Sequence, residues 1–109
     1  MIPKSVRIFV CALPQDMRRG FDGLARAVEE VLDEDPRSGA LFCFVNARAN
    51  RLKVLWWDRN GYCILYKRVH DGVFEIPGPP RGRVAIRIDA ARLAKLLEGT
   101  KRERRRKRA

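Results

Sequence analysis

Arginine and lysine are the residues through which this sequence could do chemistry, because it contains 24 of them and only 13 acids, for a net charge of +11 at pH 7. Cationic side chains bind phosphate, and aromatic rings set among them, such as Tyr62 and Tyr66, can stack on bases. The alternative is a solvated, solubilising surface, but charges of one sign at this density favour a polyanionic partner. In the body of the chain, the candidate contacts to nucleic acid are Arg48, Arg51, Lys53, Trp57, Arg59 and Lys67.

The C-terminal segment is the most basic part of the sequence. Residues 101–108 contain seven basic residues and one acid, so they carry +6 of the net charge. They have no apolar stripe and their like charges repel, so we expect a disordered basic tail at 101–109 after a folded domain at 1–100. The tail's candidate contacts to nucleic acid are Lys101, Arg102, Arg104, Arg105, Arg106, Lys107 and Arg108.

The acidic, cysteine and histidine residues form no catalytic or metal-binding pattern. Asp16 and Asp89 are interpreted as helix N-caps, and Asp58 and Asp71 as turn residues, whereas metal-dependent strand transfer needs converging carboxylates. The three cysteines and the single histidine lack metal-ligand spacing. We therefore predict no enzymatic activity, no cofactor and no metal, with buried free thiols in a reducing compartment.

The strands that must position these residues are indicated by period-two alternation. The clearest is 51–57, where Leu52 and Val54 alternate with Arg51 and Lys53. Asn60-Gly61 predicts a hairpin turn into a partner strand at 62–69. Trp56 and Trp57 must point to opposite faces, so that one can anchor the core while the other lies on the far face or at a contact. Further strands are predicted at 6–12, 41–46, 73–76 and 83–88.

A first helix is predicted after the first strand. Asp16 is a suitable N-cap, and apolar residues follow at helical spacing. Gly20 and Gly23 would weaken the first turns by about 1 kcal/mol each relative to alanine, so the helix could instead begin at Asp22. Alternatively, these glycines let the backbone approach a sheet or a ligand closely.

The order of elements predicts the fold class. A second helix should follow the N-cap Asp89 and end at Gly99. With strands joined by tight turns, this gives a single two-layer α+β domain: a mostly antiparallel meander of five to six strands, covered by two helices and followed by the basic tail. The sequence shows no apolar run long enough for a membrane span and no signal peptide, so we expect a cytoplasmic protein without membrane contact.

Four blocks occur in order along the chain: DMRRGFDGL at 16–24, DPRSGALF at 35–42, RLKVLWWDRNG at 51–61 and LAKLLEG at 93–99. Together they resemble one known family, the small TnpB (Orf2-like) accessory proteins of insertion sequence family 66, and the resemblance covers nearly all of residues 2–99. The positions that match the family motif are Asp16, Met17, Arg18, Gly20, Asp22, Gly23, Lys53, Trp57, Asp58 and Gly61.

The resemblance implies an accessory role in DNA transposition beside a separate transposase, and it supplies no catalytic residue. The expected partners are DNA, at element ends or without sequence preference, and the transposase of the same element. An adaptor that holds the transposase without touching DNA and a basic RNA-binding module remain the alternatives. The loop 46–51 contains two alanines and is less basic than is usual in the family. The resemblance does not indicate an oligomeric state.

Overall fold

The computed structural model describes residues 5–78 and 81–101. It contains two helices, α1 (Phe21–Glu30) and α2 (Ala90–Glu98). The strands are β1 (Ile8–Cys11), β2 (Leu41–Val45), β3 (Arg51–Asp58), β4 (Gly61–Arg68), β5 (Gly72–Val73), β6 (Ala85–Ile88) and β7 (Thr100–Lys101).

Five of these strands form the main sheet, in the order β4-β3-β2-β1-β6. All neighbours are antiparallel except β1 and β2, which are parallel and are connected through α1. A parallel pair needs such a crossover, since a tight turn cannot join it. The short strands β5 and β7 pair separately. The predicted α+β class with a mostly antiparallel sheet is therefore confirmed, and β2-β3-β4 forms the meander.

The two helices cover opposite faces of the sheet. Leu24 and Val28 of α1 pack in one apolar cluster with Phe42, while Leu93 of α2 packs in a second cluster with Cys43, the next residue of β2. The structure thus differs from the predicted two-layer arrangement, because the sheet lies between the helices. The physical reason is that β1 and β2 are buried on both faces, so each face needs a cover.

The two tryptophans of β3 point to opposite faces, as predicted. Trp56 packs against the apolar cluster under α2. Trp57 meets Tyr62 edge-on, with ring centroids 4.9 Å apart, and the guanidinium of Arg37 lies 4.6 Å from its ring centroid. Both tryptophans are half-buried, so Trp56 contributes to the core from its margin.

The predicted hairpin between β3 and β4 is present, with its turn one residue earlier than expected. Asp58 pairs with Gly61, which leaves Arg59 and Asn60 as the loop. Arg59 takes the left-handed conformation, with a φ of 51°. Gly61 is therefore the first residue of a strand and not the second residue of the turn.

The start of α1 corrects two expectations. Gly20 is the N-cap and makes no side-chain capping bond, so Asp16 does not cap this helix, and the alternative start at Asp22 was correct to within one residue. A Cβ atom at Gly20 would meet no atom within 4 Å, and the three atoms nearest to one at Gly23 belong to the side chain of Arg19. Neither glycine therefore marks a close approach to the sheet.

The end of α2 confirms its predicted caps and adds a strand. Asp89 accepts a hydrogen bond from the backbone N–H of Arg92 at 2.8 Å, and Gly99 ends the helix with a φ of 75°. Thr100 and Lys101 then form β7, although 101 was predicted to begin the tail. The remaining tail positions, 102–109, lie outside the described residues. The strand predicted at 73–76 is shortened to Gly72–Val73.

Candidate nucleic-acid interface

A cleft of about 560 Å³ opens between the loop that precedes α1 and the loop that joins β2 to β3. We call it the basic cleft, because three arginines and one acid are among its lining residues. The lining residues are Pro14, Gln15, Asp16, Met17, Arg18, Asn46, Ala47, Arg48, Arg51 and Tyr66. The cleft therefore joins Arg48 and Arg51, both predicted contacts, to the first block of the family motif.

Lys53 holds in place the loop before α1, which forms one wall of the basic cleft. Its side chain is buried, with 8% of the residue exposed, and Nζ donates to the carbonyl oxygens of Met17 at 2.7 Å and Arg19 at 2.9 Å. The same ammonium lies 4.7 Å from the ring centroid of Tyr66. Because a buried charge needs partners, these contacts tie the loop before α1 to β3. Lys53 was expected to contact phosphate, but its ammonium is already used inside the fold.

Asn46 stabilises the loop between β2 and β3, which forms the opposite wall of the basic cleft. Its Oδ1 accepts hydrogen bonds from the backbone N–H groups of Asn50 and Arg51, both at 3.0 Å, and its Nδ2 donates to Asn50 Oδ1 at 2.7 Å. Ala49 takes a left-handed φ of 56°, and its carbonyl accepts from the N–H of Phe74 at 2.6 Å. The loop is therefore held by its own side chains and by the segment that follows β5.

Arg51 and Arg48 lie along this wall. Arg51 Nη1 donates to the hydroxyl of Tyr66 at 2.7 Å, which orients the guanidinium on the neighbouring strand. An arginine has five N–H donors in a planar fork, so the bond to Tyr66 leaves donors for a phosphate. Arg48 is exposed in the loop. The two side chains thus offer one oriented and one freely solvated guanidinium.

Arg18 and Asp16 form an exposed ion pair at the mouth of the basic cleft. Arg18 Nη2 lies 2.7 Å from Asp16 Oδ2, and the carboxylate also accepts the backbone N–H of Arg18 at 2.9 Å. These hydrogen bonds from Arg18 lower the pKa of Asp16 to about 2, so the carboxylate is charged at neutral pH. Exposed ion pairs contribute little stability, so a phosphate can compete with Asp16 for Arg18. One acid thus opposes three arginines in the cleft.

The other predicted contacts lie elsewhere in the fold. Trp57 and Arg59 are at the far end of β3, about 20–25 Å from Arg51 by the rise of an extended strand. Lys67 belongs to the face that α2 covers, where its Nζ donates to the carbonyl of Leu97 at 2.5 Å, at the negative end of the helix dipole. Lys101 is exposed in β7. The structure thus does not bring these residues together with the basic cleft.

The remaining predicted contacts, Arg102, Arg104, Arg105, Arg106, Lys107 and Arg108, lie outside the described residues. The sequence-based set of contacts did not include Arg18 and Asn46, two polar residues that line the cleft. Arg18 was assigned only to the family motif, and Asn46 only to a loop. The Asp-x-Arg spacing at 16–18 and the two asparagines four residues apart at 46 and 50 are the local signals that could have indicated them.

The described part of the chain contains no cluster of three or more histidine, cysteine, aspartate or glutamate residues that could hold a metal ion. Cys11 and Cys43 are buried free thiols, and burial raises the pKa of Cys43 to about 12. Cys63 is a free thiol that is half-buried, not fully buried as expected. Neither of the helices in residues 5–78 and 81–101 has the length and apolar character needed to cross a membrane.

Comparison with known proteins gives a family match. The model described as "IS66 Orf2 like protein" matches residues 6–107. Uncharacterized protein y4hO of Sinorhizobium fredii (strain NBRC 101917 / NGR234) is 41% identical over 101 residues, which is 91% of this chain and 86% of that protein. Uncharacterized protein y4jC of the same strain is 36% identical over 74 residues, or 68% of this chain and 63% of that protein. No solved structure matches.

The family match includes both motif blocks that meet at the basic cleft, 16–24 and 51–61. It extends over nearly the whole chain and confirms the resemblance seen in the sequence. This chain belongs to the IS66 Orf2-like family, the transposition-associated accessory proteins of insertion sequences.

Proposed function

We propose that this protein assists transposition in the bacterial cytoplasm by binding the phosphate backbone of DNA in the basic cleft, beside a separate transposase and without a catalytic role of its own. The observation that supports the proposal is the convergence of Arg18, Arg48 and Arg51 on one cleft. Its walls are fixed by Lys53 and Asn46 through hydrogen bonds.

The chemistry of the cleft favours backbone contact over base reading. Guanidinium groups bind phosphate oxygens through parallel N–H bonds, and such contacts position a protein on DNA without selecting a sequence. We therefore expect binding that depends strongly on salt and weakly on sequence.

The number of phosphate contacts predicts how steeply the affinity for DNA should fall with salt concentration. Each phosphate contact on duplex DNA contributes about −0.9 to the slope of log affinity against log salt concentration. Three arginines in the basic cleft should thus account for a slope of about −2 to −3. Exposed cations elsewhere, such as Lys101, add contacts only if the DNA path passes over them.

The experiment is a set of salt titrations by fluorescence anisotropy, on element-end DNA and on random duplex DNA. The double variant Arg48→Ala/Arg51→Ala removes two cations from the cleft. The matched control, Arg26→Ala/Arg83→Ala, removes two exposed arginines elsewhere. The cleft variant should bind more weakly and reduce the slope by about 2, whereas the control should retain most of the wild-type slope.

A gain-of-function variant completes the test. Asp16→Asn removes the acid from the cleft and releases Arg18, so it should strengthen DNA binding, with Glu29→Gln on α1 as the charge-matched control. Equal losses in the two arginine double variants would mean that net charge, and not the basic cleft, determines binding. If the protein binds the transposase but binds neither element-end DNA nor random DNA, the result would instead support the adaptor role.

A further inference from the structure

The outer edge of β4 has no role in the proposed function. β4 is the terminal strand of the main sheet and is eight residues long. It pairs with β3 residue by residue, from Asp58 opposite Gly61 to Arg51 opposite Arg68, without a bulge. Within residues 5–78 and 81–101, no strand pairs with its other side. The backbone N–H and C=O groups on that side can therefore accept another strand.

The two edges of the sheet differ in how they resist such pairing. Protein edges are usually protected by short strands, charges, proline or bulges. The β6 edge has four residues, including Arg87, and begins just after Arg83. In contrast, residues 61–66 of β4 carry no charge and no proline, and Leu65 and Tyr66 are 40% and 48% exposed. The β4 edge is thus the one that favours association.

We infer that two copies of this chain associate by antiparallel pairing of their β4 edges, which makes one continuous ten-stranded sheet. A two-fold interface must be complementary to itself. Directly opposite residues of an antiparallel pair point to the same face, so a symmetric register is centred on a residue. Centring on Ile64, near the middle of β4, sets Tyr62 opposite Tyr66 of the second copy on both sides of the axis.

Charge favours this orientation. Lys67 and Arg68 lie at one end of β4, whereas the turn at the other end contains Asp58 and Arg59, whose charges cancel. Antiparallel pairing separates the basic ends of the two copies and sets Lys67 opposite Gly61 of the second copy. Parallel pairing would instead place the four cations side by side.

The pairing has a consequence for the basic cleft, and this consequence alone depends on the proposed function. A two-fold axis perpendicular to the sheet leaves both clefts on the same side. Strand spacing and rise place the two Arg51 residues about 30 Å apart in this register. One turn of duplex DNA is about 34 Å, so a dimer could contact the same side of a duplex with both clefts.

The first test measures mass by sedimentation equilibrium on the full chain without DNA, over a range of concentration and salt. Leu65→Lys adds a charge at the proposed interface. Leu13→Lys is the matched control, since Leu13 is 49% exposed and lies outside the sheet. Wild type and Leu13→Lys should reach the dimer mass, and Leu65→Lys should stay monomeric with unchanged circular dichroism. Higher salt should strengthen dimerisation, because it screens the repulsion between two cationic bodies, whereas it weakens DNA binding.

The second test fixes the register by cross-linking under mild oxidation. Residues that face each other across an antiparallel pair have Cα atoms about 4.5–5.5 Å apart, within the range that a disulfide spans. Ile64→Cys in a Cys63→Ser background should give a cross-linked dimer, and Arg87→Cys in the same background should not. A monomeric wild-type chain at every concentration, or equal masses for the two leucine variants, would overturn the inference. Failure of Ile64→Cys to cross-link a dimer would overturn the register.

Discussion

The ammonium of Lys53 donates to the carbonyl of Met17 at 2.7 Å, across a separation of 36 residues in the chain. With its second bond, to the carbonyl of Arg19, it holds the loop before α1 against β3. The two longest motif blocks therefore meet at a buried charge whose partners are backbone carbonyls. By holding Met17 and Arg19, the Lys53 side chain positions Arg18, which lies between them, at the mouth of the basic cleft.

Lys53→Met should thus destabilise the fold and weaken DNA binding indirectly. The substitution leaves two carbonyls without their donor, which costs about 1–3 kcal/mol for each buried group that water cannot reach. Lys67→Met is the control, since Lys67 makes one exposed bond to a carbonyl, and it should lose less stability. The measurement is urea denaturation of both variants. Unchanged stability with a salt slope reduced by about 1 would show instead that Lys53 contacts phosphate.

Because Asp16 forms an exposed ion pair with Arg18, the Asp16 carboxyl group should titrate at low pH. The pKa of Asp16 is lowered to about 2, mainly by the hydrogen bonds from Arg18. Because the folded-state pKa lies below the usual value of about 3.9, the pair's contribution to stability is complete above pH 4 and is lost as the pH falls toward 2. An NMR titration of the Asp16 carboxyl should show a midpoint near 2, which Arg18→Ala should raise. A wild-type midpoint near 4 would contradict the pair.

At Gly72 an added side chain would collide with the backbone of a neighbouring strand. A Cβ atom there would lie 2.8 Å from the carbonyl oxygen of Thr100 in β7. Gly72→Ala should therefore destabilise the fold by about 1–3 kcal/mol, as overpacking does. Gly78→Ala is the control, because its Cβ would meet no atom within 4 Å and Gly78 lies in neither a helix nor a strand, so stability should change by less than about 0.5 kcal/mol. Thermal melts of both variants test the contrast, and similar melting temperatures would contradict it.

The features that were predictable from the sequence have local causes. Asp89 caps α2 through its own side chain and Gly99 ends it with a positive φ, so residues a few positions apart determine both ends. The alternation within 51–57 likewise identified the two faces of β3 before any partner was known. The turn between β3 and β4 was displaced by one residue because the register of the whole hairpin, and not the Asn-Gly pair, determines which residues close it.

The features that were missed depend on distant residues. Lys53 alternates with apolar neighbours as an exposed strand lysine would, and only the carbonyls of Met17 and Arg19 make it a buried one. Thr100 and Lys101 form a strand because Gly72 lies beside them, which the tail's composition does not indicate. The basic cleft likewise exists only where two loops, separated by α1 and β2, come together.

The basic segment after β7 should increase the affinity for DNA without contributing to the folded site. Residues 102–108 carry six cations and one acid, and Lys101 already belongs to β7. A chain that ends at Lys101 therefore keeps every described strand and removes six cations, whereas one that ends at Gly99 would also remove β7.

If half or more of the six cations reach phosphate, truncation after Lys101 should reduce the salt slope on random DNA by about 3–5. Any preference for element ends should persist, because it would reside in the folded domain around the basic cleft. The measurement is a salt titration of the full chain and of the truncated chain on element-end and random DNA. A full-length chain in which glutamine replaces the six cations is the control for chain length. Equal slopes for all three chains would show that these cations do not contact DNA, and a loss of end preference on truncation would assign sequence discrimination to the segment itself.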